Sequence, residues 1–501
     1  MVVLTVAVYI LQSLILIVPA RAQTTGLERS GRWLMYNNSY PYLVGYDLQQ
    51  LFSQKSYSYA DIDYKLNQLQ EFRINKIRVW INAWFLGING YYPWIVDANG
   101  KKNLDVWNVT YWTRMRDFVQ KCKDRDIIVE FTLFTPYPIE SASDSWWKNT
   151  AWQVAWNKIF NLNNAFSTNA NGHFFPQFFD LNYSERSSSN KTLKDYQKAL
   201  IDKTIDELNG FGNVYFELAN EFPGVWTNDG SAINQVYPWQ QYWANYMHTT
   251  KGVITTCHAN EGSGQNTFGI QYFKDTAYCD ILNFHFRTGE TRKDNANIVS
   301  NFFHNLQTSN KILQCNESKA YEDLTYTDMV TREAWGTFVS GGYYFHYNDS
   351  TDIIGTYDWR NLAERLKILR NIAESVNFWQ MSPVDENVNE YDSLITQAPS
   401  RYWQLLANPG KEYVAYFNQN PTTNDVRINL PAGNYNYVFY DTRLWNQNGL
   451  KSGMAISAGG QTSIPVPLAS AWNGNTGLVL VIMKQETDLM PPAAPTCLTV
   501  N

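Results

Sequence analysis

Between about residues 40 and 380, short apolar runs rich in β-branched and aromatic residues alternate with longer segments of helical periodicity. The segment after the first run, for example, places Ile62, Leu66 and Leu69 on one helical face. Alternating strands and helices pair the strands in parallel through right-handed crossovers, so eight such units predict a (β/α)8 barrel. The eight predicted strands are Tyr42–Gly45, Lys76–Ile81, Ile127–Leu133, Val214–Leu218, Val253–Thr256, Ile281–Phe284, Ile312–Gln314 and Gly342–Phe345.

Residues 401–485 have a different pattern, in which short β-rich runs are separated by Asn, Pro and Gly turns. This pattern predicts a small all-β sandwich after the barrel. The barrel domain is therefore assigned to residues 23–400, with the Trp- and Asn-rich stretch 141–189 as an insertion after the third strand. Residues 486–501 are predicted to be a Pro-rich tail.

The N-terminus, residues 1–22, resembles a secretory signal peptide. Its apolar core runs from Val2 to Val18, and Ala20-Arg21-Ala22 has the small-x-small form of a cleavage site. Because no Lys or Arg precedes the apolar core, a signal anchor is the alternative. No later apolar run approaches the ~20 residues of a membrane span, so we expect a secreted, extracellular protein with no membrane contact after cleavage.

The net charge and the aromatic content indicate which kinds of molecule the protein could bind. The net charge is −6 and no basic run occurs, which disfavours nucleic acid and anionic membranes as partners. Aromatic residues make up 16% of the chain, a surplus that favours flat apolar surfaces on which sugar rings stack.

Five cysteines allow at most two disulfides, and the absence of a C-x-x-C motif argues against zinc and redox sites. Cys257 and Cys279 lie near the ends of neighbouring segments, which makes them the pair most favoured by position.

Export gives meaning to the N-x-S/T triplets, since a eukaryotic secretory pathway attaches glycans to some of them. We therefore expect a glycoprotein in such a host. The triplets begin at Asn37, Asn108, Asn182, Asn190, Asn316 and Asn348.

The C-terminal ends of barrel strands carry the catalytic groups in this fold, so the side chains delivered there are the candidates. The substrate-binding candidates are polar or aromatic residues in or just after the strands. They are Arg78 inside strand two, Asn82 and Trp84 at its exit, Asn220 from strand four, His285 from strand six and Tyr344 from strand eight. Glu221 ends strand four and Glu317 ends strand seven.

Two carboxyl groups that face each other across a barrel mouth suit glycoside hydrolysis. One must donate a proton to the leaving oxygen, and the other must be ionised to attack the anomeric carbon or to activate water. An Asn-Glu pair after a strand is also a common start of a helix. The assignment of Glu221 as catalytic therefore depends on the presence of Glu317 at the end of strand seven. Glu322 is a rival for the second carboxylate, and Glu217 is expected to be structural.

The Asn220-Glu221 pair together with Glu317 resembles clan A of the retaining glycoside hydrolases. In that clan the first Glu is the acid/base and the second is the nucleophile, which implies these roles for Glu221 and Glu317. Arg78 and His285 resemble the strand-two Arg and strand-six His of the clan, which steady the nucleophile and line the substrate subsite.

A closer resemblance is to the apiosidase-type barrel family, long catalogued as a domain of unknown function. The segment "NESKAYEDLTYTDMVTREAWGTFVSGGYYF" follows its layout, although Ser318 replaces the Pro that follows the Glu in that family. The segment "LLANPGKEYVAYFNQN…RINLPAGNYNYVFYDTR" resembles the sandwich that follows those barrels and bears a collagen-binding label.

The resemblance implies a secreted enzyme that hydrolyses O-glycosidic bonds of an oligo- or polysaccharide by a retaining mechanism. It implies no metal and no cofactor, and its partner is the carbohydrate substrate. Two alternatives stay open. The first is a non-catalytic carbohydrate-binding or adhesion protein on a barrel scaffold, and the second is a transglycosylase that uses the same residues.

Overall fold

The computed structural model describes residues 26–81, 89–98, 102–135, 176–184, 186–220, 230–262, 268–286, 310–318, 327–347, 359–386, 394–399, 403–418, 423–444, 447–468 and 477–485. Within these residues, eight parallel strands close into a barrel in which each strand pairs with its neighbours in chain order. The predicted α/β barrel and all eight predicted strands are confirmed. The barrel strands are β1 (Val44–Asp47), β2 (Lys76–Trp80), β3 (Ile128–Phe134), β4 (Val214–Ala219), β5 (Thr255–Gly262), β6 (Ile281–Phe286), β7 (Ile312–Ser318) and β8 (Gly342–Tyr347).

Helices connect the barrel strands, and two of them begin with a reciprocal capping box. Ser58 and Asp61 form one box, and Thr192 and Asp195 form the other, so each start is fixed locally by the sequence. The described helices are α1 (Tyr59–Glu71), α2 (Val109–Lys123), α3 (Pro176–Phe179), α4 (Leu193–Leu208), α5 (Gly230–Tyr246), α6 (Phe268–Phe273), α7 (Thr327–Val339) and α8 (Trp359–Ala373). Shorter turns are the 3-10 helices Asn209–Phe211 and Phe378–Gln380 and the π-helix Met247–Lys251.

An antiparallel hairpin, Leu27–Ser30 with Trp33–Tyr36, packs against the N-terminal end of the barrel. Its Trp33 ring contacts Tyr343 edge-on at 5.2 Å, and the Leu34 amide donates to the Tyr343 hydroxyl at 3.0 Å. The hairpin therefore lies at the end of the barrel opposite the C-terminal strand ends. A second hairpin, Trp94–Val96 with Lys102–Trp107, follows β2.

The middle of the barrel is polar rather than apolar. Lys76 and Glu130 form a fully buried ion pair at 2.6 Å, and the Lys76 ammonium lies 3.6 Å from the centre of the Phe345 ring. Gln314 donates to Glu130 at 2.7 Å and accepts from the Tyr215 hydroxyl at 3.0 Å. A layer of buried polar and charged groups therefore lies below the strand ends and supports the groups there.

The C-terminal part folds as two antiparallel sheets, as predicted. Strand order is β9-β11-β12-β17-β14-β15 in the larger sheet and β10-β13-β16 in the smaller. These strands are β9 (Ser382–Glu386), β10 (Ile395–Gln397), β11 (Trp403–Asn408), β12 (Glu412–Phe417), β13 (Asp425–Leu430), β14 (Gly433–Asp441), β15 (Lys451–Ser457), β16 (Gly460–Pro465) and β17 (Leu478–Lys484).

The β domain begins earlier than the predicted boundary at residue 400, because β9 and β10 belong to its sheets. Strand β9 reads "SPVDE" and has no apolar run. It lies at the edge of its sheet, where a proline such as Pro383 is tolerated because one side needs no ladder hydrogen bonds.

The sandwich packs directly on the barrel. Trp335 of α7 stacks on Tyr416 of β12 with ring centres 6.0 Å apart, and both side chains are fully buried. Leu406, Val414 and Val481 of the larger sheet belong to the same apolar core as the barrel. The two domains therefore share one continuous core through α7.

The four cysteines in the described part of the chain are buried free thiols, so the expected disulfide between Cys257 and Cys279 is not formed. Burial, with the neighbouring Cys279 thiol, raises the pKa of Cys257 well above its usual value. A search of the described helices found none that combines the length and the apolar character of a membrane span.

Gly45 of β1 has no room for a side chain, since a Cβ there would collide with the backbone carbonyl of Lys76 on β2. We expect Gly45→Ala to lower the free energy of unfolding by at least about 2 kcal/mol, because a backbone carbonyl in a barrel cannot move aside. Chemical denaturation monitored by tryptophan fluorescence measures this.

Gly210→Ala is the matched control, because nothing lies within 4 Å of a Cβ at that position. Its stability should stay within about 0.5 kcal/mol of the wild type. Equal losses in both variants would contradict the tight β1–β2 contact.

Candidate active site

Arg78 of β2 is the centre of the polar cluster at the C-terminal end of the barrel. Its side chain is fully buried, and Nε donates to Thr132 Oγ1 at 3.0 Å and to Glu217 Oε2 at 2.9 Å. Nη2 donates to the same Glu217 oxygen at 2.6 Å and to Asn220 Oδ1. The guanidinium is thereby fixed in orientation by groups from β3 and β4.

The remaining guanidinium nitrogen of Arg78, Nη1, donates to two further carboxylates. Nη1 lies 3.1 Å from Asp47 Oδ2 and 3.1 Å from Glu317 Oε2. With these, every N–H of the guanidinium has an acceptor. Burial by itself lowers the pKa of Arg78, but the surrounding carboxylates outweigh burial and raise that pKa well above its usual value.

Glu217 of β4 is the principal counter-ion of Arg78. Burial favours its neutral form, but Arg78 and His285 together hold the pKa of Glu217 below its usual value. The expectation that Glu217 is structural agrees with its position, since both of its oxygens accept hydrogen bonds from protein groups. Oε1 accepts from Asn283 at 2.7 Å and from Asn316 at 3.0 Å.

Glu317 is the penultimate residue of β7 and is 7% exposed. Its Oε2 contacts Arg78, and it lies 3.5 Å from Nδ1 of His285. The strand-two Arg and the strand-six His therefore both lie beside this carboxylate.

The hydrogen bonds around His285 determine where its protons lie. Asn316 donates its amide nitrogen to Glu217, which leaves Oδ1 to face His285 Nε2 at 2.7 Å. An amide oxygen only accepts, so Nε2 carries a proton. Nδ1 faces Glu317, and protonation there would add a second positive charge next to this carboxylate.

Asn316 and Glu317 both face the barrel interior, although they are consecutive residues of β7. The pairing of β7 with β8 shifts register between Cys315 and Ser318, which is the mark of a β-bulge. Strict alternation along a strand would point Asn316 away from Glu317, and the bulge overturns that expectation. Asn316 is nevertheless fully buried.

Asn220 lies directly after β4, and its backbone amide donates to Phe134 of β3 at 2.9 Å. Its Oδ1 accepts from Arg78, and its buried Nδ2 has no hydrogen-bond partner within the chain segments that the structure describes. A donor that is fixed in direction but lacks a protein acceptor is suited to a ligand hydroxyl.

Tyr344 is not part of this cluster. Strand β8 turns Phe345 towards Lys76 in the barrel interior, so the side chain of Tyr344 lies on the opposite, helix-facing side. It is fully buried, and its hydroxyl donates to Glu333 of α7 at 3.2 Å. These contacts contradict its predicted role in binding substrate.

Four sequence candidates, Glu221, Asn82, Trp84 and Glu322, lie outside the residues that the structure describes. The structure adds Asp47, Asn283, Asn316 and His258 to the interior cluster, none of which the sequence singled out as part of the site. Asp47 is the last residue of β1, two positions beyond the predicted end of that strand. Extending the apolar run "LVGYD" to its terminal carboxylate would have identified it.

Glu217, His258 and His285 offer ligand atoms within 4.8 Å of one another, a spacing that a metal ion could use. Both oxygens of Glu217 already accept hydrogen bonds, Oε2 from Arg78 and Oε1 from Asn283. A cation at this point would displace those bonds and lie close to the Arg78 charge. The donor set therefore fits a hydrogen-bonded scaffold better than a metal site.

Solved structures with the same architecture include glycoside hydrolases. A glycoside hydrolase family 5 structure from Bacteroides vulgatus ATCC 8482 matches with a TM-score of 0.61 at 16% identity, covering 94% of this chain and 95% of that chain. A second structure, described as a glycoside hydrolase, gives a TM-score of 0.59 at 14% identity and covers 93% and 98% of the two chains. No protein-family model and no curated protein matches the sequence. At these identities the likeness shows a shared fold.

The burial of Asn316 leads to a prediction about glycosylation. Because its amide is enclosed by Glu217 and His285, we expect Asn316 to be unmodified when the protein is secreted from a glycosylating host. Asn190, exposed in a turn, and Asn108 serve as comparison sites in the same molecule. Glycopeptide mass spectrometry measures occupancy at each, and high occupancy at Asn316 in active protein would contradict the placement of Glu317 in the site.

Proposed function

We propose that this protein is a retaining glycoside hydrolase in which Glu317 is the nucleophile and Glu221 the acid/base. One observation carries the proposal. At the open end of the barrel, Glu317 lies within 3.1 Å of the buried Arg78 and next to His285, and Arg78 also holds Asn220, the residue before Glu221. The site thus sets a carboxylate beside a buried guanidinium and a fixed amide donor.

Glu317 must be ionised to attack an anomeric carbon. Arg78 favours the charged form directly, because a guanidinium within hydrogen-bond distance stabilises a carboxylate. The Arg78 plane is fixed by Glu217 and Asn220, so the Glu317 carboxylate is oriented before substrate arrives. Preorganisation of this kind lowers the reorganisation needed in the transition state.

The reaction then follows the two-step scheme of retaining enzymes. Glu221 protonates the glycosidic oxygen as Glu317 attacks, the C–O bond to the leaving group breaks, and a glycosyl ester of Glu317 forms. Water, deprotonated by Glu221, attacks the same carbon and releases the sugar and the Glu317 carboxylate. The Asn220 Nδ2 donor is suited to a hydroxyl beside the reacting carbon, where hydrogen bonds strengthen in the transition state.

The structural neighbours support this class of reaction, since both are glycoside hydrolases on the same scaffold. The apiosidase-type layout of the β7–α7–β8 segment and the resemblance of the sandwich to its usual companion domain support a narrower placement. We propose an oligo- or polysaccharide as substrate and, from the residue 1–22 signal sequence, secretion to the extracellular space.

A non-catalytic carbohydrate-binding protein is the alternative of another class. Such a protein would not require a buried guanidinium shared among several carboxylates. A buried charge cluster of this kind is costly to desolvate and is seldom kept for stability alone. A transglycosylase would use the same groups and differ in excluding water from the second step.

A screen of aryl glycosides and polysaccharides, with Glu317→Gln as the inactive control, tests the proposed function. A mechanism-based 2-deoxy-2-fluoroglycosyl fluoride of the sugar that is hydrolysed should label Glu317, and peptide mass spectrometry locates the label. Polysaccharide binding without hydrolysis or labelling would favour the binding protein instead, and disaccharide synthesis that exceeds hydrolysis would favour the transglycosylase.

We expect the carboxyl groups of Glu221 and Glu317 to lie about 5–5.5 Å apart, the separation of retaining enzymes. The product should therefore keep the anomeric configuration of the substrate, which proton NMR of the first turnover reveals. An inverted product, or a crystallographic separation of roughly 6.5–9.5 Å, would contradict the assignment of Glu317 as a nucleophile.

Glu221→Gln and Glu317→Gln should lose activity in different ways. Without Glu221, substrates with good leaving groups need no proton and should retain much activity, and azide should restore turnover because it attacks without a base. Without Glu317 no ester forms, so leaving-group acidity should not help. Rates for a series of substituted phenyl glycosides measure this, and equal responses in both variants would refute the division of roles.

A further inference from the structure

Asp47 shares a single nitrogen of Arg78 with Glu317. Its Oδ2 accepts from Nη1 at 3.1 Å, the same distance that separates Nη1 from Glu317 Oε2, and it also accepts from Gln49 at 3.1 Å. The Asp47 side chain is fully buried, so no bulk water screens it. Asp47 and Glu317 are thus two carboxylates that compete for the positive charge at Arg78 Nη1.

We propose that Asp47 is a positioning residue for Glu317. Because both carboxylates accept from Arg78 Nη1, the charge on Asp47 sets how strongly the guanidinium stabilises the carboxylate of Glu317, the proposed nucleophile. Ionised Asp47 draws part of that charge away and makes the Glu317 carboxylate more basic and more nucleophilic. Protonated Asp47 leaves Arg78 to Glu317, which becomes a weaker nucleophile. The proposal rests on the proposed function for its catalytic meaning, but the coupling between the two carboxylates exists independently of it.

The groups around Asp47 raise its pKa above the usual value of an aspartate. Burial raises the pKa of Asp47 to about 6, against the opposing effect of Arg78 and Lys76 on β2, while Glu217 on β4 raises it further. Glu317 on β7 adds a second anion at the shared nitrogen. The adjacent strand β8 presents the uncharged Phe345 to the interior.

The pH dependence of kcat/KM on an aryl glycoside tests the catalytic part. In Asp47→Asn the neighbour stays uncharged at every pH, so the rise in kcat/KM that follows Asp47 ionisation near pH 6 should be lost. The acid limb should then move to lower pH, where Glu317 alone titrates. Glu130→Gln is the matched control, because Glu130 is equally buried but pairs with Lys76 in the layer below. It should lose stability and leave the limb in place.

An acid limb that stays at the wild-type pH in Asp47→Asn would overturn the proposal and make Asp47 a purely structural partner of Arg78. An equal shift in Glu130→Gln would do the same, because the effect would then be a general response to lost buried charge.

Urea unfolding tests the coupling without any activity measurement. Because the folded-state pKa of Asp47 is above its usual 3.8, the folded protein holds more protons between those values, and stability falls as pH rises through them. The unfolding constant of the wild type relative to Asp47→Asn should therefore rise about tenfold from pH 5 to pH 7.

In the Glu317→Gln background this rise should be smaller, because removing the competing anion lets Asp47 ionise more easily. If Asp47→Asn does not fold, the pH dependence of wild type and Glu317→Gln is compared directly. An undiminished rise in the Glu317→Gln background would refute the coupling. A protein that hydrolyses no glycoside but shows the diminished rise would refute the proposed function and support the coupling.

Discussion

A buried guanidinium needs an acceptor for every N–H, and that requirement organises the open end of this barrel. Arg78 contacts groups from β1, β3, β4 and β7, so the positions of those strand ends are tied to one side chain. Removing any acceptor leaves part of a desolvated cation unpaired, which is more costly than loss of a single hydrogen bond between neutral groups. The cluster therefore acts as one unit, and its geometry is fixed before a ligand binds.

The layer below makes this arrangement possible. The Lys76–Glu130 pair and Gln314 fill the barrel with polar groups that bond to one another, and Asn316 links this layer to Glu217 above. An apolar layer at the same depth would leave the lower face of Glu217 without donors. Buried ion pairs seldom stabilise a fold relative to apolar packing, so this interior reflects a demand on the charged groups above it.

The sequence predicted the barrel because buried parallel strands are nearly continuous apolar runs, which stand out without knowledge of tertiary contacts. It assigned His285 and Glu317 to strand exits and Arg78 to the interior of strand two, because positions along a strand can be read from the sequence alone. Prediction from the sequence failed where the direction of a side chain depends on how its strand pairs with a neighbouring strand. The bulge that turns Asn316 inward arises from pairing with β8, and the outward direction of Tyr344 depends on which residue of β8 meets Lys76. Edge strand β9 was missed because Pro383 and its polar neighbours give no apolar signal.

The shared core at α7 has a consequence for how the chain can be divided. Helix α7 joins β7, which carries Glu317, to β8, and its Trp335 is covered by Tyr416 of the sandwich. A shortened chain that ended with the barrel would expose this aromatic surface beside the strand that carries Glu317. It would also leave β9 without β11, its pairing partner. The sandwich therefore covers a face of the barrel domain, and we expect the smallest independently folding unit to include both domains.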